Sequence, residues 1–379
     1  MELSSKNTPT ILVLFGATGD LTEKKIVPAL FCLMQKKQLP ERFCVVGFSR
    51  SSVSREDFRK HIARAAAGHA RVKKGTSAEK EYFHSLFEYH QGNFGNRDDY
   101  AGLRQSLKEI DDVWGQCSNK LFYLAVPPHY YEEIFLNLAA EGLTKACGGE
   151  EGWTRVVVEK PFGKDLETAQ RLDALLHELF RDEQVYRIDH YLGKETVENI
   201  LAFRFSNSLF EPIWNSGSIE EISIQLLERD GVEGRGVLYD GIGALRDVGQ
   251  NHLLQLLALF MMENPGGFGA ESIRKERERV LQSLSLFSHT GVAADTVRGQ
   301  YGGFRKILGV AKNSATETYF KIRAEVDSPR WRGVPVILES GKMMGENRVE
   351  VTITFKHSAP CLCPPEKEGH YKNILRYRI

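Results

Sequence analysis

Ile11-Leu12-Val13-Leu14-Phe15-Gly16-Ala17-Thr18-Gly19-Asp20-Leu21 decides how the first half of this chain folds. A continuous apolar run that ends on glycine is the pattern of a parallel strand buried on both faces. Helical spacing follows, with Ile26, Leu30, Leu33 and Met34 on one stripe, closed by Leu39-Pro40. Cys44-Val45-Val46-Gly47-Phe48 reads as a second buried strand, and further apolar runs occur at Leu121 to Val126 and Val156 to Val158. Segments of helical character such as Tyr130 to Leu143 separate them. Alternating strands and helices predict a Rossmann-like, doubly wound parallel sheet.

The pattern breaks between Asn207 and Ser218. Beyond it Ile222, Ile224 and Leu226 alternate with Glu221, Ser223 and Gln225, and Val349 to Phe355 alternates as strictly. Period two is the mark of a sheet with one exposed face. The second half is therefore expected to be an α+β domain, a mostly antiparallel sheet with helices on one side. The boundary is placed near residue 188, giving domains 1–188 and 189–379.

A chain of 379 residues exceeds what one core usually organises, which agrees with two domains. Fifty Lys and Arg balance fifty Asp and Glu. No global field attracts nucleic acid or an anionic membrane, so any anion recognition must be local. The six cysteines show neither a disulfide framework nor zinc spacing, and Cys361 with Cys363 is the one close pair. A reducing compartment is expected. Residues 1–6 lack an apolar signal core, and the longest apolar run, Leu253 to Met262, is too short to span a bilayer. These features point to a cytoplasmic protein. His69 to Lys80 reads as a solvated helix end and loop.

Gly16, Thr18, Gly19, Asp20 and Leu21 lie where a first strand turns into a first helix. Glycines there let backbone N–H groups approach a pyrophosphate, and the helix start offers partial positive charge. The turn is a variant of G-x-G-x-x-G, and such turns also occur without a ligand. The second strand ends Gly47-Phe48-Ser49-Arg50, where an NAD-binding fold usually carries an acidic residue for the ribose 2′-hydroxyl. Arg50 argues instead for a 2′-phosphate, hence NADP, jointly with the glycine turn. Lys25 is close enough along the helix to reach the same cofactor.

Glu159-Lys160-Pro161-Phe162-Gly163 closes another strand, at the carboxyl edge where open α/β sheets place ligands. A cis Lys-Pro bond would fix Lys160 between cofactor and substrate; a trans proline ending a strand is the alternative. Arg187-Ile188-Asp189-His190-Tyr191-Leu192-Gly193-Lys194-Glu195 crowds cations, a carboxylate and a phenol together. If that stretch is helical, His190 and Lys194 share a face and converge on one phosphate. Arg246-Asp247-Val248-Gly249-Gln250-Asn251-His252 leads into an apolar helix. His252 at that junction is either a general base on a cleft floor or a core histidine bonded to backbone. Asp189 is the candidate to hold its other ring nitrogen, and Asp247 and Glu228 are the carboxylates that remain.

FGATGDL, GFSR, LFYLAVPP, EKPFG, YRIDHYLGKE, EGRG, RDVGQNH, VRGQY, TETYF and the Arg330 to Lys342 stretch, in this order, resemble glucose-6-phosphate dehydrogenase over nearly the whole chain. The resemblance implies oxidation of D-glucose 6-phosphate by NADP. It makes His252, paired with Asp189, the base that takes the anomeric hydroxyl proton as hydride leaves. Lys160 would position that hydroxyl; His190, Tyr191 and Lys194 would hold the phosphate; Glu228, Asp247 and Lys342 would bind the pyranose. Cofactor contacts map onto Gly16, Thr18, Gly19, Asp20, Leu21, Lys25, Arg50 and Lys160, which makes 1–188 the NADP-binding domain and 189–379 the substrate and dimerisation domain. The chemistry calls for a hydride acceptor and a base and for no metal. Relative to the family the chain ends at Ile379, within a strand of the second domain, so an open strand edge and a weakened homo-oligomer are expected. Two other readings remain: a catalytically weak protein that binds sugar phosphate or nucleotide, and a related Rossmann sugar oxidoreductase that shares E-K-P without the RIDHYLGK phosphate site.

Overall fold

The computed structural model describes residues 8–67, 75–147, 152–285, 291–357 and 372–379. The chain divides into two compact units, Met1–Ile188 and Asp189–Ile379. Cys361, Cys363 and His69 to Lys74 lie outside the described residues. The described remainder of the His69 to Lys80 stretch opens a helix, where Thr76 and Glu79 form a reciprocal cap.

In the first unit, β1 (Thr10–Phe15), β2 (Phe43–Ser49), β3 (Phe87–Gln91), β4 (Asn119–Leu124), β5 (Thr154–Val158) and β6 (Val185–Arg187) form one sheet in the order β3-β2-β1-β4-β5-β6. Every pairing is parallel. Six helices accompany them: α1 (Val27–Gln35), α2 (Arg55–Ala67), α3 (Ser77–Ser85), α4 (Arg97–Trp114), α5 (Tyr131–Ala140) and α6 (Leu166–Leu179). The continuous apolar run of β1 has a direct cause. Leu12 and Leu14 pack into a layer with Val27, Phe31, Phe58 and Phe83, while Ile11, Val13 and Phe15 pack into a layer with Tyr100, Leu103, Ile134 and Phe135. With both faces covered, neither set of alternate positions can be polar.

Three expectations need correction. Leu33 does not join the buried stripe of α1; it is 37% exposed. Helix α5 stops at Ala140 and does not run to Leu143. Gly142 takes φ 69° and the Leu143 N–H returns to the Leu138 carbonyl at 2.8 Å, a left-handed close that frees the chain to leave. Cys117 and Cys147 form a disulfide with Cα atoms 5.8 Å apart, which the spacing did not suggest. It joins the residues before β4 to those after α5, neighbours in space that are 30 apart in sequence. The Lys160–Pro161 bond is cis.

In the second unit, β7 (Ile219–Leu227), β8 (Thr296–Gly299), β9 (Tyr319–Ala324), β10 (Val336–Gly341), β11 (Arg348–Phe355) and β12 (Ile374–Arg378) order as β12-β11-β7-β10-β9-β8. Only β7 and β10 run parallel; the other pairings are antiparallel. The helices are α7 (Glu195–Phe205), α8 (Gly236–Tyr239), α9 (Leu254–Met261), α10 (Ala270–Gln282) and α11 (Val292–Asp295). Ile222, Ile224 and Leu226 are buried in a core shared with Leu256, Leu257 and Phe260. On the opposite face Gln225 bonds Glu339 at 2.8 Å, and Tyr319 donates to Glu339 at 2.9 Å, so the polar positions of the alternating pattern pair among themselves. The π-helical segment Leu245–Leu253 runs straight into α9 and carries His252. No described helix is long and apolar enough to cross a membrane.

Candidate functional site

Within the first unit the strand order reverses direction of winding between β1 and β4, the switch point at which open α/β sheets bind ligands. Gly16 closes β1 there with φ 78°, and its N–H donates to the Phe48 carbonyl at 2.9 Å. A Cβ at Gly16 would stand 2.4 Å from the Ala125 carbonyl oxygen, so a side chain is excluded both by backbone conformation and by the end of β4. Gly19 N–H donates to Gly16 O at 2.9 Å, and Thr22 Oγ1 to the same oxygen at 3.0 Å, which pins the turn before the helix. Helix geometry begins at Asp20 and passes through a π turn, Thr22–Ile26, that includes Lys25. A turn pinned in this way, with glycine at both ends and a helix opening after it, offers the backbone N–H cradle that a pyrophosphate requires.

Thr18 and Ser49 share a hydrogen bond at 2.8 Å across this turn. Arg50, exposed at the end of β2, lies over the rings of Phe94 and Tyr130 at 5.8 and 5.5 Å and donates to the Tyr130 hydroxyl at 3.2 Å. The guanidinium is thus steered by two aromatic faces while its remaining donors stay available. Glu159, in the EKPFG motif, accepts from Tyr123 at 2.5 Å, and its carbonyl accepts from Tyr131 at 3.2 Å.

At the start of the second unit the condition set for the 187–195 stretch, that it be helical, is not met. Residues 190–193 form turns, closed by Leu192 N–H to Asp189 O at 3.0 Å and Lys194 N–H to Tyr191 O at 3.1 Å. Lys194 is the extended N-cap residue of α7, with φ −78° and ψ 131°. Its ammonium folds back over the Tyr191 ring at 3.8 Å, a contact that replaces the expected shared helical face. Burial lowers the Lys194 pKa, so the ammonium sits where an anion would be welcome.

The turn delivers Asp189 to His252. Asp189 Oδ1 accepts from His252 Nδ1 at 2.7 Å and from the Tyr191 N–H at 2.9 Å. His252 is 3% exposed, its ring stacks on Tyr191 at 4.3 Å, and the His190 ring meets it edge-on at 4.6 Å. Burial pushes the Asp189 pKa up, but the His252 hydrogen bond and charge, the Tyr191 N–H and His190 outweigh it, and the carboxyl ends below its ordinary value. The Tyr191 hydroxyl is pushed up to about 12 by burial and by the charges of Glu228 and Asp189, and stays protonated. Asp189, His190 and His252 bring one donor atom each within 4.8 Å. Asp189 Oδ1 accepts from both N–H groups and so holds the His252 ring in one orientation, with the His190 imidazole beside it.

Lys342, buried after β10, pairs with Glu228 at the end of β7, and Glu228 N–H donates to Gly341 O at 2.9 Å. The parallel β7–β10 register therefore sets these two charges side by side. Asp247 stands earlier on the His252 helix and is half-buried. VRGQY and TETYF hold neighbouring backbone in place, Glu317 of TETYF accepting from the Leu245 N–H at 3.0 Å. The Val232 N–H donates to the Tyr301 hydroxyl at 3.1 Å, and Val232, Tyr239 and Phe304 form a small apolar cluster. Arg277 on α10, which sequence reasoning missed, is half-buried, and burial lowers its pKa.

Comparison with known proteins extends this picture. The family description "Glucose-6-phosphate dehydrogenase, NAD binding domain" matches residues 13–199, and "Glucose-6-phosphate dehydrogenase, C-terminal domain" matches 201–379. The glucose-6-phosphate 1-dehydrogenase of Chlamydia muridarum is 40% identical over 379 residues, with 95% of this chain and 74% of that protein covered. The chloroplastic enzyme of Solanum tuberosum is 40% identical over 362 residues, covering 94% of this chain and 62% of that one. A solved structure of a glucose-6-phosphate dehydrogenase in complex with its substrate glucose 6-phosphate superposes with a TM-score of 0.86 at 34% identity, covering 98% of this chain and 76% of that one.

Proposed function

The chain belongs to the glucose-6-phosphate dehydrogenase family, and we propose how its residues carry out that family's reaction: oxidation of D-glucose 6-phosphate to 6-phosphogluconolactone with hydride transfer to a nicotinamide dinucleotide, the first step of the oxidative pentose phosphate pathway.

His252 is the base. Its Nδ1 is engaged by Asp189 at 2.7 Å, so the neutral ring keeps Nε2 as its acceptor, and that nitrogen takes the proton of the C1 hydroxyl. The Asp189 carboxylate orients the ring and stabilises the imidazolium that forms. This pair is the observation on which the assignment chiefly rests. The bound dinucleotide supplies the hydride acceptor.

His190, Tyr191 and Lys194 hold the 6-phosphate, a reading supported by the desolvated Lys194 ammonium stacked on Tyr191 beside His190. Glu228, Asp247 and Lys342 bind the pyranose hydroxyls, and Lys160 keeps the position at the C1 hydroxyl that its EKPFG motif suggests. The first unit holds the cofactor through Gly16, Thr18, Gly19, Asp20, Leu21 and Lys25. NADP is the preferred form, because Arg50 offers a guanidinium and no acidic residue takes its place at the end of β2. We further place the enzyme in the cytoplasm and expect a homo-oligomer.

Growth of reduced-cofactor absorbance with glucose 6-phosphate, compared across NADP and NAD, tests these assignments. Activity with NADP well above NAD, lost when glucose replaces its phosphate, supports them; equal rates with both cofactors would remove the NADP assignment.

A further inference from the structure

Glu159 is gripped from both faces of the first sheet. It follows β5 directly, and in the parallel pairing of β4 with β5 Tyr123 stands opposite Val157, two residues before it. The Tyr123 hydroxyl donates to Glu159 Oε1 at 2.5 Å, and the Tyr131 hydroxyl donates to the Glu159 carbonyl at 3.2 Å. Tyr123 packs against the layer that holds Leu12 and Leu14, whereas Tyr131, fully buried, belongs to the layer of Ile11, Val13 and Phe15. One phenol thus holds the side chain, and the other holds the peptide group that leads into Lys160.

The far end of the same motif is fixed as well. The Arg187 guanidinium lies over the Phe162 ring at 4.0 Å. Gly163 takes φ 77°, and a Cβ there would stand 2.5 Å from the Ala169 backbone nitrogen, so this residue sits directly against the start of α6. Lys160 is therefore flanked by two anchored points. Of these anchors the Tyr123 bond is the short, charge-assisted one to a carboxylate. Burial first, and then the bond to Glu159, push the Tyr123 pKa up, so the phenol keeps its proton and remains the donor.

We infer that Tyr123 is a positioning residue for Lys160, its hydroxyl fixing through Glu159 the strand end from which Lys160 reaches the reacting hydroxyl of the sugar. The inference rests on the role given to Lys160 above. Without the phenol donor Glu159 loses its side-chain anchor, while the carbonyl anchor from Tyr131 remains, so the motif shifts and does not come apart. A small displacement of a group that orients reacting atoms is felt in the rate of the chemical step more than in substrate affinity.

The test is the rate constant of a single turnover, read as reduced-cofactor absorbance with Tyr123→Phe in excess over glucose 6-phosphate and NADP saturating. That constant reports the reaction in folded molecules, so a merely structural loss, which lowers the folded fraction, leaves it unmoved. Tyr123→Phe should slow it by about five- to fiftyfold, with KM for glucose 6-phosphate changed less than about threefold. Glu159→Ala should match Tyr123→Phe, and Glu159→Gln, which keeps an acceptor oxygen, should lose less; this pair keeps the question answerable should Tyr123→Phe fold poorly. In a Lys160→Ala background Tyr123→Phe should slow the remaining turnover by less than about twofold, because the residue it positions is gone. A wild-type rate constant in folded Tyr123→Phe, or the full further loss in the Lys160→Ala background, would overturn the inference. Failure of the Lys160 assignment reads differently, as near-normal turnover in Lys160→Ala itself.

Discussion

His252 Nδ1 donates to Asp189 Oδ1 at 2.7 Å, joining residues 63 apart in sequence. The bond needs both the turn that follows β6 and the π-helical segment ahead of α9. The Tyr191 N–H, donating to the same oxygen at 2.9 Å, keeps the carboxylate from rotating away. A histidine at the mouth of an apolar helix is thereby held in one orientation.

Phosphate recognition is expected to depend on Lys194. Lys194→Ala removes the ammonium that lies 3.8 Å from the Tyr191 ring. The ratio of kcat/KM for glucose 6-phosphate to that for glucose should fall at least about tenfold, the scale of one charge-assisted contact. Steady-state kinetics with both sugars decides it; an unchanged ratio would reassign the turn to structure.

Cofactor choice is expected to follow Arg50. Arg50→Ala should raise KM for NADP by about one to two orders of magnitude, from roughly 1.5 to 3 kcal/mol for a hydrogen bond to a charged group, and leave KM for NAD nearly unchanged. Equal losses with the two cofactors would refute the role.

Gly16→Ala should damage the first unit. The new Cβ meets the Ala125 oxygen at 2.4 Å and the residue must hold φ 78°. A stability loss of about 1 to 3 kcal/mol in denaturant unfolding is expected from the backbone alone, together with a higher KM for the dinucleotide. Wild-type values for both would mean the turn relaxes freely and is no rigid cradle.

The stability contributed by Asp189 should depend on pH in a defined sense. Its folded pKa lies below the ordinary carboxyl value. Ionised Asp189 therefore stabilises the fold fully above the unfolded value of about 3.9, and that contribution disappears as pH falls through the lower folded value. The melting-temperature gap between wild type and Asp189→Asn should be open at neutral pH and close under strong acid. A gap that widens on acidification would contradict the sign.

The first sheet was legible in the sequence because burial on both faces leaves Ile11 to Phe15 of β1 no polar position, and the period-two runs of β7 and β11 were legible because one of their faces is open. The exceptions have local causes. Leu33 sits on the edge of the α1 stripe, where spacing says apolar but packing leaves it exposed. The 187–195 stretch has helical spacing, yet Lys194 is extended, so its helix starts only at Glu195. Cys117 and Cys147 meet through the fold around α5, which no spacing rule reports. Among the site residues, motifs marked Asp189, His190, Lys194 and His252, but the geometry that joins them came from the turn. Arg277 was marked by no motif; only the fold shows that it is half-buried on α10.

The most direct measurement is kcat of folded His252→Asn with glucose 6-phosphate and NADP, alongside Asp189→Asn and the double variant. Turnover should drop by about two to four orders of magnitude in His252→Asn, with substrate affinity close to wild type. Asp189→Asn should lose less, and the double variant no more than His252→Asn alone, because both residues act through one imidazole. Near-normal turnover in His252→Asn would contradict the assignment of His252 as the base and return the role to Asp189, Asp247 or Glu228.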